Sequence, residues 1–164
     1  MNTKKYNFIL IIILTIILLT GCNNKNNETS SNLNLAPQGT LYCERAGTIE
    51  NGSVNFSYIL HYKDDNIIEL HSTEEVITED SETLDIYENA YKSIFKAYEG
   101  LKYYDNTITR TNTSIKSYTV INYEKINIDD LLAIEGEEDN VIEDGKAKLS
   151  IWLDFAKQFG TTCK

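Results

Sequence analysis

The chain has two histidines, and the sequence pattern predicts that they lie on neighbouring strands of one sheet. His61 and His71 should be diagonal to each other on the face away from the apolar side chains, with Glu69 and Glu75 nearby. Imidazoles and carboxylates suit zinc or copper, which makes His61 and His71 the candidates for a metal site. Their spacing matches no known metal motif, and Ile59 lies among them. The favoured interpretation is an exposed cross-strand pair of His61 and Glu69, and no metal or cofactor is predicted.

The N-terminus carries a second kind of chemistry. Lys4 and Lys5 precede a nearly unbroken apolar run over residues 8–19, the arrangement of a secretion signal. The run ends in Leu19-Thr20-Gly21-Cys22, which resembles the lipobox of bacterial lipoproteins. That resemblance implies cleavage before Cys22 and a diacylglyceryl group on its sulfur. A retained transmembrane anchor is the alternative, although the run is shorter than the roughly 20 apolar residues that a spanning helix needs.

These signals divide the chain into three parts. Residues 1–21 form the signal peptide, residues 22–37 the lipidated cysteine and an Asn- and Ser-rich tether, and residues 38–164 a single domain. The expected location is the extracytoplasmic face of the cell membrane, with the membrane as partner through the lipid on Cys22. Heavy use of Ile, Asn, Lys and Tyr indicates an AT-rich genome and favours a Gram-positive source.

Two cysteines remain once Cys22 is lipidated. An even pair in an exported domain predicts a disulfide, here between Cys43 and Cys163, joining the first strand to the C-terminus. Two separate buried thiols are the alternative. A redox-active pair is disfavoured because the chain has no Cys-x-x-Cys motif.

The sequence offers no catalytic motif. The acidic residues 135–139 and Glu143-Asp144-Gly145 lack the alternating ligands of an EF-hand loop, so we interpret them as a solvated loop rather than a calcium site. A nucleophile elbow, a phosphate loop and a dinucleotide fingerprint are also missing. No catalytic residue is predicted. Pairing among the 25 acidic residues leaves a hydrolase with two carboxylates as an alternative.

The charge of the chain disfavours a nucleic-acid partner. Loss of Lys4 and Lys5 with the leader leaves 13 basic residues against 25 acidic ones, a formal net charge of −12. Binding to a phosphate backbone depends on clusters of Lys and Arg. The negative charge is typical of a solvated surface, with cation capture at the cell surface as the alternative.

Strand patterns occupy the first half of the domain. Three strands are predicted over residues 40–49, 54–62 and 67–77, separated by turns at Asn51-Gly52 and Asp64-Asp65-Asn66. The second turn should place Asn66 in the left-handed region. Its register collects the apolar residues on one face through three predicted pairs: Tyr62 with Ile68, Leu60 with Leu70, and Val54 with Val76.

Helical periodicity begins at residue 82 and continues to residue 99. An apolar stripe with three- and four-residue spacing predicts a helix face packed on the sheet rather than a ligand platform: Leu84, Tyr87, Tyr91, Ile94, Tyr98 and Leu101. Ser81 or Thr83 should cap this helix, and Gly100 should end it.

The second half repeats the alternation of strands and helices. Two strands are predicted over residues 103–111 and 114–124, then a short helix capped by Asp129 and a last helix over residues 149–159, closed by Gly160. The order βββ-α-ββ-α-α predicts an α+β fold, with an antiparallel sheet of about five strands and helices packed on one face.

Three segments resemble the YehR-like small lipoproteins. They are Tyr62-Lys63-Asp64-Asp65, Tyr98-Glu99-Gly100-Leu101 and Tyr123-Glu124-Lys125-Ile126-Asn127-Ile128-Asp129-Asp130-Leu131. The likeness extends from the lipobox through the last helix. The family has no established activity, so the resemblance implies a lipid-anchored α+β domain and transfers no catalytic residue. The pair Cys43 and Cys163 departs from the family pattern.

Together these patterns predict a non-enzymatic lipoprotein at the cell surface, which binds an unknown protein or small-molecule ligand. The anchor, the tether and the lack of a catalytic motif favour this function. Two alternatives stay open: an envelope hydrolase with paired carboxylates, and a metal-binding lipoprotein that uses His61 and His71.

Overall fold

The structure is a computed structural model that describes residues 35–136 and 140–164. The signal peptide, Cys22, most of the tether and the acidic residues 137–139 lie outside the described residues. The described elements are β1 (Gln38–Ile49), β2 (Gly52–Lys63), β3 (Asn66–Thr78), α1 (Ser81–Phe95) followed by a 3-10 helix (Lys96–Tyr98), β4 (Tyr104–Arg110), β5 (Ser114–Asn122), α2 (Ile128–Glu135), β6 (Ile142–Glu143), β7 (Lys146–Ala147), α3 (Leu149–Gln158) and β8 (Thr162–Cys163).

The predicted α+β class is confirmed, with one strand more in the main sheet than expected. Six strands pair antiparallel in the order β4-β5-β3-β2-β1-β8, and β6 and β7 form a separate hairpin. The additional strand is β8, where Cys163 pairs with Cys43 of β1. Strands of two residues are too short to show the alternation that reveals a strand in sequence.

The first hairpin turns one residue earlier than predicted. Ile49 pairs with Gly52, so the loop consists of Glu50 and Asn51, and Asn51 has the positive φ of 60°. Gly52 already belongs to β2. A Cβ atom at Gly52 would collide with the backbone carbonyl of Ile77 on β3, so glycine is needed there for close strand approach.

The register between β2 and β3 follows the prediction except near its turn. Two of the three predicted pairs are present: Leu60 with Leu70, and Val54 with Val76. The third is wrong, because Tyr62 pairs with Ile67 and the register shifts between His61 and Tyr62, leaving Ile68 as an extra residue. The left-handed residue of this turn is Asp64, with φ 52°, rather than Asn66.

Helix α1 begins at the predicted place but with a different cap. The Asp80 carboxylate accepts a hydrogen bond from the Glu82 amide at 3.0 Å and from the Thr83 hydroxyl at 2.6 Å, so neither Ser81 nor Thr83 is the cap residue. A carboxylate one residue earlier meets the free amides of the first turn more directly. Gly100 has the predicted positive φ, 85°.

The other two helices are also capped in ways that the sequence prediction missed. Asn127, rather than Asp129, caps α2 by accepting from the amides of its first turn. In α3, the cap comes from Asp65 in the distant β2–β3 turn. Its carboxylate accepts from the Ser150 amide at 2.8 Å and from the Ser150 hydroxyl at 2.9 Å. This contact fixes α3 to the hairpin.

All three helices pack on one face of the main sheet, called the inner face here, as predicted. Each helix forms a hydrophobic cluster with strand residues: Leu84, Tyr87 and Tyr91 of α1 with Val54, Val76 and Ile115; Leu149, Trp152 and Ala156 of α3 with Leu41 and Leu60; Leu131 of α2 with Ile121, joined by Tyr98 of the 3-10 helix. Burial of each large side chain contributes roughly 1.5–3 kcal/mol. The tyrosine stripe of α1 is therefore core. None of the helices in the described ranges is long and apolar enough to cross a membrane.

The C-terminus is fixed to β1 by a covalent bond and by backbone pairing. Cys43 and Cys163 form the predicted disulfide, across 120 residues of sequence and with their Cα atoms 4.1 Å apart. Next to it, Tyr42 and Lys164 exchange two backbone hydrogen bonds of 3.1 and 2.9 Å. The disulfide therefore closes a loop that contains nearly the whole domain.

We expect the double substitution Cys43→Ser and Cys163→Ser to lower the free energy of unfolding by about 4 to 5 kcal/mol, because it frees a long loop in the unfolded chain. Urea unfolding followed by Trp152 fluorescence measures the change, with circular dichroism as a check on the fold. A loss of less than about 1 kcal/mol would contradict the prediction and assign the stability of this edge to backbone pairing alone.

Candidate functional site

The outer face of the sheet, opposite the helices, brings polar side chains from four strands together. Strand register places Thr40 of β1, His61 of β2, Glu69 of β3 and Asn122 of β5 in one row. His71 lies two residues beyond Glu69 on β3, hence on the same face. The predicted diagonal placement of the two histidines is therefore present.

His61, Glu69 and His71 form one compact group. One ligand atom from each of the three side chains lies within 4.8 Å of the other two. The imidazole centroids are 5.8 Å apart, and Nε2 of His71 is 2.8 Å from Oε1 of Glu69. The strand pairing of His61 with Glu69 is as predicted, but the carboxylate bonds to His71 instead. Glu75, which was expected nearby, forms an ion pair with Lys116 at 3.2 Å.

Each member of this group is held by a neighbouring side chain. Nδ1 of His61 is 2.9 Å from the Thr40 hydroxyl, and Nδ1 of His71 is 2.6 Å from the Tyr118 hydroxyl. The Asn122 amide donates to Oε2 of Glu69 at 2.9 Å. Each of these contacts uses one polar atom of its residue, and the remaining atoms of His71 and Glu69, Nε2 and Oε1, form the 2.8 Å hydrogen bond between the two side chains. We call these three residues, with the three that hold them, the outer histidine cluster.

The electrostatics of the cluster favour an ionised carboxylate. The hydrogen bond from His71 lowers the pKa of Glu69, and the bond from Asn122 adds to this effect against the opposing influence of burial. An anionic oxygen beside two imidazoles is a donor set for a divalent cation or a cationic group.

A carboxyl group on the inner face has the opposite character. Glu74 is only 8% exposed and lies in the strand row between Phe56 and Ser117. Burial raises its pKa to about 7, against the opposing effects of the Tyr91 hydroxyl and the Arg45 guanidinium. Among residues 35–136 and 140–164, no group hydrogen-bonds to its Oε1 atom. In the sequence, Glu74 interrupts the apolar alternation of β3, and this alternation gives no sign that the carboxyl would retain its proton.

A second carboxyl with a raised pKa belongs to α2 and is half-buried. Glu135 was predicted to lie in the acidic loop, but it ends the helix and accepts a hydrogen bond from the Tyr98 hydroxyl at 3.2 Å. Burial raises its pKa to about 7, opposed by that hydrogen bond. The ring of Tyr98 stacks on Tyr104 with centroids 4.2 Å apart. Further along, Asp144 and Gly145, both with positive φ, form a tight turn between β6 and β7.

The positions of Glu74 and Glu135 are relevant to the alternative function, a hydrolase with two carboxylates. Glu74 lies near Tyr91 of α1, whereas Glu135 lies near the Tyr98 cluster, so the two carboxyls with raised pKa are not neighbours. A surface depression at the β2–β3 turn is lined by the carboxylates of Asp64 and Glu124 and by two lysines. Neither Glu74 nor Glu135 lines that depression.

Sequence reasoning identified the two histidines but not the residues that hold them. Thr40, Tyr118 and Asn122 come from strands β1 and β5, and Tyr118 and Asn122 lie more than 45 residues from the groups they contact. Their spacing in the chain carries no motif, because the pairing of β5 with β3 depends on the whole sheet. Cys22, the predicted lipidation site, lies outside the described residues.

The described architecture is that of a two-layer α+β protein, with a six-stranded sheet and helices on one face. No protein-family model matches the sequence, and no curated protein matches it. Among solved structures, the chain is similar to the YehR protein of E. coli, with 16% identity and a TM-score of 0.49 over 78% of this chain and 93% of that one. A protein from Streptococcus pneumoniae TIGR4 gives 13% identity and a TM-score of 0.48 over 88% and 99%. The first of these structures is the YehR protein itself, after which the family that the three sequence segments resemble is named.

We expect the stability of the protein to fall as pH rises through the range in which Glu74 ionises. The pKa of this carboxyl is 4.5 without burial and about 7 in the fold, so the folded state holds the proton more tightly between these values. The free energy of unfolding should therefore decline by about 3 kcal/mol from about pH 4.5 to pH 7 on account of this group.

The substitution Glu74→Gln should remove the share of the decline that Glu74 contributes, and Glu75→Gln, which changes a half-buried outer-face acid of the same strand, should leave that share in place. Urea unfolding at pH 5 and at pH 8 provides the comparison. Equal pH dependence in the two variants would contradict the assignment of the buried proton to Glu74.

Proposed function

We propose that this chain is a lipid-anchored extracytoplasmic lipoprotein whose folded domain binds a ligand and has no enzymatic role. The observation that carries the location is the disulfide between Cys43 and Cys163, since such bonds persist in oxidising compartments and are rare in the cytosol. It agrees with the sequence Leu19-Thr20-Gly21-Cys22, which resembles a lipobox. Two acyl chains on Cys22 would hold the protein on the membrane.

The binding role is supported by the difference between the two sheet faces. The helices occupy the inner face, whereas the outer face carries large side chains that meet solvent: Tyr42 is 52% and Tyr118 is 39% exposed. Tyr118 belongs to the outer histidine cluster, and Tyr42 lies on the same face, two residues after Thr40. Surfaces that bind ligands or partners commonly combine aromatic side chains with a few polar groups held in place.

The absence of an enzymatic role is supported by where the acidic groups lie. A two-carboxylate hydrolase needs a proton donor and a second carboxylate facing one substrate. Glu74 and Glu135 have the raised pKa of a proton donor, but Glu74 lies near Tyr91 and Glu135 is bonded to Tyr98, and these tyrosines belong to different hydrophobic clusters. We therefore favour binding over hydrolysis, with the domain on the outer surface of a Gram-positive cell.

We expect the chain to incorporate labelled palmitate through Cys22 when it is produced in a Gram-positive host. Wild type and Cys163→Ala should both carry the label in the membrane fraction, and Cys22→Ala should lose it. Gel autoradiography and the mass of the mature N-terminus provide the readout. An unlabelled wild-type protein would overturn the proposed anchor.

The binding role has a separate test. The full chain in detergent micelles is heated with a panel of divalent metals, sugars, amino acids and peptidoglycan fragments, because a ligand that binds only the folded state raises the unfolding midpoint. A rise with one compound class supports a binding domain. If no compound raises the midpoint and a pull-down from the cell envelope recovers no partner, the binding role is contradicted.

A further inference from the structure

We propose that His61, Glu69 and His71 form a binding site for a divalent late first-row transition ion, for which Zn²⁺ is the probe. This inference rests on the binding function proposed above and narrows it to a ligand class. The site lies wholly on the outer face of the sheet, so it does not depend on the membrane anchor.

The donor set defines the class of ion. Two imidazole nitrogens and one carboxylate oxygen suit zinc and its neighbours, and three protein ligands leave at least one coordination position open. Calcium prefers six to eight oxygen ligands, and magnesium demands an octahedral set of oxygens. One carboxylate among two imidazoles cannot supply either shell, so the site should discriminate against both ions.

The distances fit with small side-chain movements. Ligand bonds of about 2.0–2.2 Å in a tetrahedral site place neighbouring ligand atoms about 3.4 Å apart. The ligand atoms of the three residues already lie within 4.8 Å of one another. The 2.8 Å contact between Nε2 of His71 and Oε1 of Glu69 must widen by roughly 0.6 Å, which a rotation of the glutamate side chain allows.

The residues that hold the ligands strengthen the inference. A metal-binding histidine commonly gives its second ring nitrogen to a hydrogen-bond partner, which fixes the ring and its tautomer. Thr40 meets His61 in this way, and Tyr118 meets His71. A carboxylate ligand is often held likewise, as Asn122 holds Glu69. An accidental pairing of two surface histidines would not require three separate supports.

The Tyr118 hydroxyl can hydrogen-bond to His71 both when the site is empty and when it holds an ion. Without an ion, Nε2–H of His71 donates to Glu69, and Nδ1 accepts the hydroxyl proton of Tyr118. When an ion takes Nε2, the imidazole proton moves to Nδ1, which then donates to the same hydroxyl oxygen. The hydroxyl can reverse its role because it is both donor and acceptor.

The cluster is open to solvent from one side. The side chains of His71 and Glu69 are 24% and 30% exposed, which is enough for an ion to enter without displacing a strand. The open coordination position would face away from the sheet, beside Tyr118. A water molecule or a donor group from a partner could occupy it.

The test is a calorimetric titration of the full chain in detergent micelles with zinc chloride. We expect one zinc ion per chain. Substitution of a ligand, Glu69→Gln or His71→Ala, should weaken binding by more than about 100-fold, and Tyr118→Phe, which removes only a support, by about 10- to 100-fold. Glu75→Gln is the matched control, since it removes an outer-face carboxylate of the same strand and should leave the affinity unchanged. Magnesium chloride should give no binding heat.

Two outcomes would overturn the site: no zinc binding by the wild type, or equal loss of affinity in Glu69→Gln and Glu75→Gln. Circular dichroism and the unfolding midpoint without metal establish that each variant is folded. If the wild type does not bind zinc but a sugar, an amino acid or a peptidoglycan fragment raises the unfolding midpoint, the metal site alone is overturned. A negative titration with a flat panel and no recovered partner overturns the proposed binding role as well.

Discussion

The register of β3 is the constraint on which the rest of the structure depends. β3 pairs with β2 on one side and with β5 on the other, so its residues decide what lies opposite what across the sheet. Side chains alternate between faces, and a slip of one residue would exchange the two faces completely. The observed register sends Leu70 and Val76 to the core and leaves Glu69 and His71 on the outer face. The bulge beside His61 then lets the turn close without moving the core residues or the outer-face residues to the opposite face.

Whether a feature of this fold could be predicted from the sequence depends on how far apart along the chain its interacting residues lie. Strands β1 to β5 and helices α1 and α3 follow from periodicity, because that signal lies within one segment of sequence. The cap of α3 by Asp65 and the short strand β8 depend on residues brought together from opposite ends of the domain. No local pattern distinguishes Asp65 from Asp64. The error at Glu135 has the same origin, since the Tyr98 hydroxyl that donates to its carboxylate comes from another element.

The candidate site shows the same division. His61 and His71 are rare residues whose relation follows from one hairpin, so their approach could be predicted. Tyr118 and Asn122 could not, because the connection from β3 to β5 contains a helix and another strand. The protonation of acidic side chains also differs between the two sheet faces. Glu69 is paired and ionised, whereas Glu74 retains its proton within the core up to about pH 7.

The disulfide that links β1 to β8 also determines how the domain responds to pulling. Tension applied between the N-terminal end of β1 and the C-terminus would pass from Gln38 to Cys43, cross the covalent bond and leave through Lys164. The chain between the two cysteines lies outside this route. Only the contacts of the β1 residues between Gln38 and Cys43 could be lost before the force reached a covalent bond. His61, Glu69 and His71 would therefore be shielded from stretching, whereas Thr40, which lies between Gln38 and Cys43, would be on the route of the force.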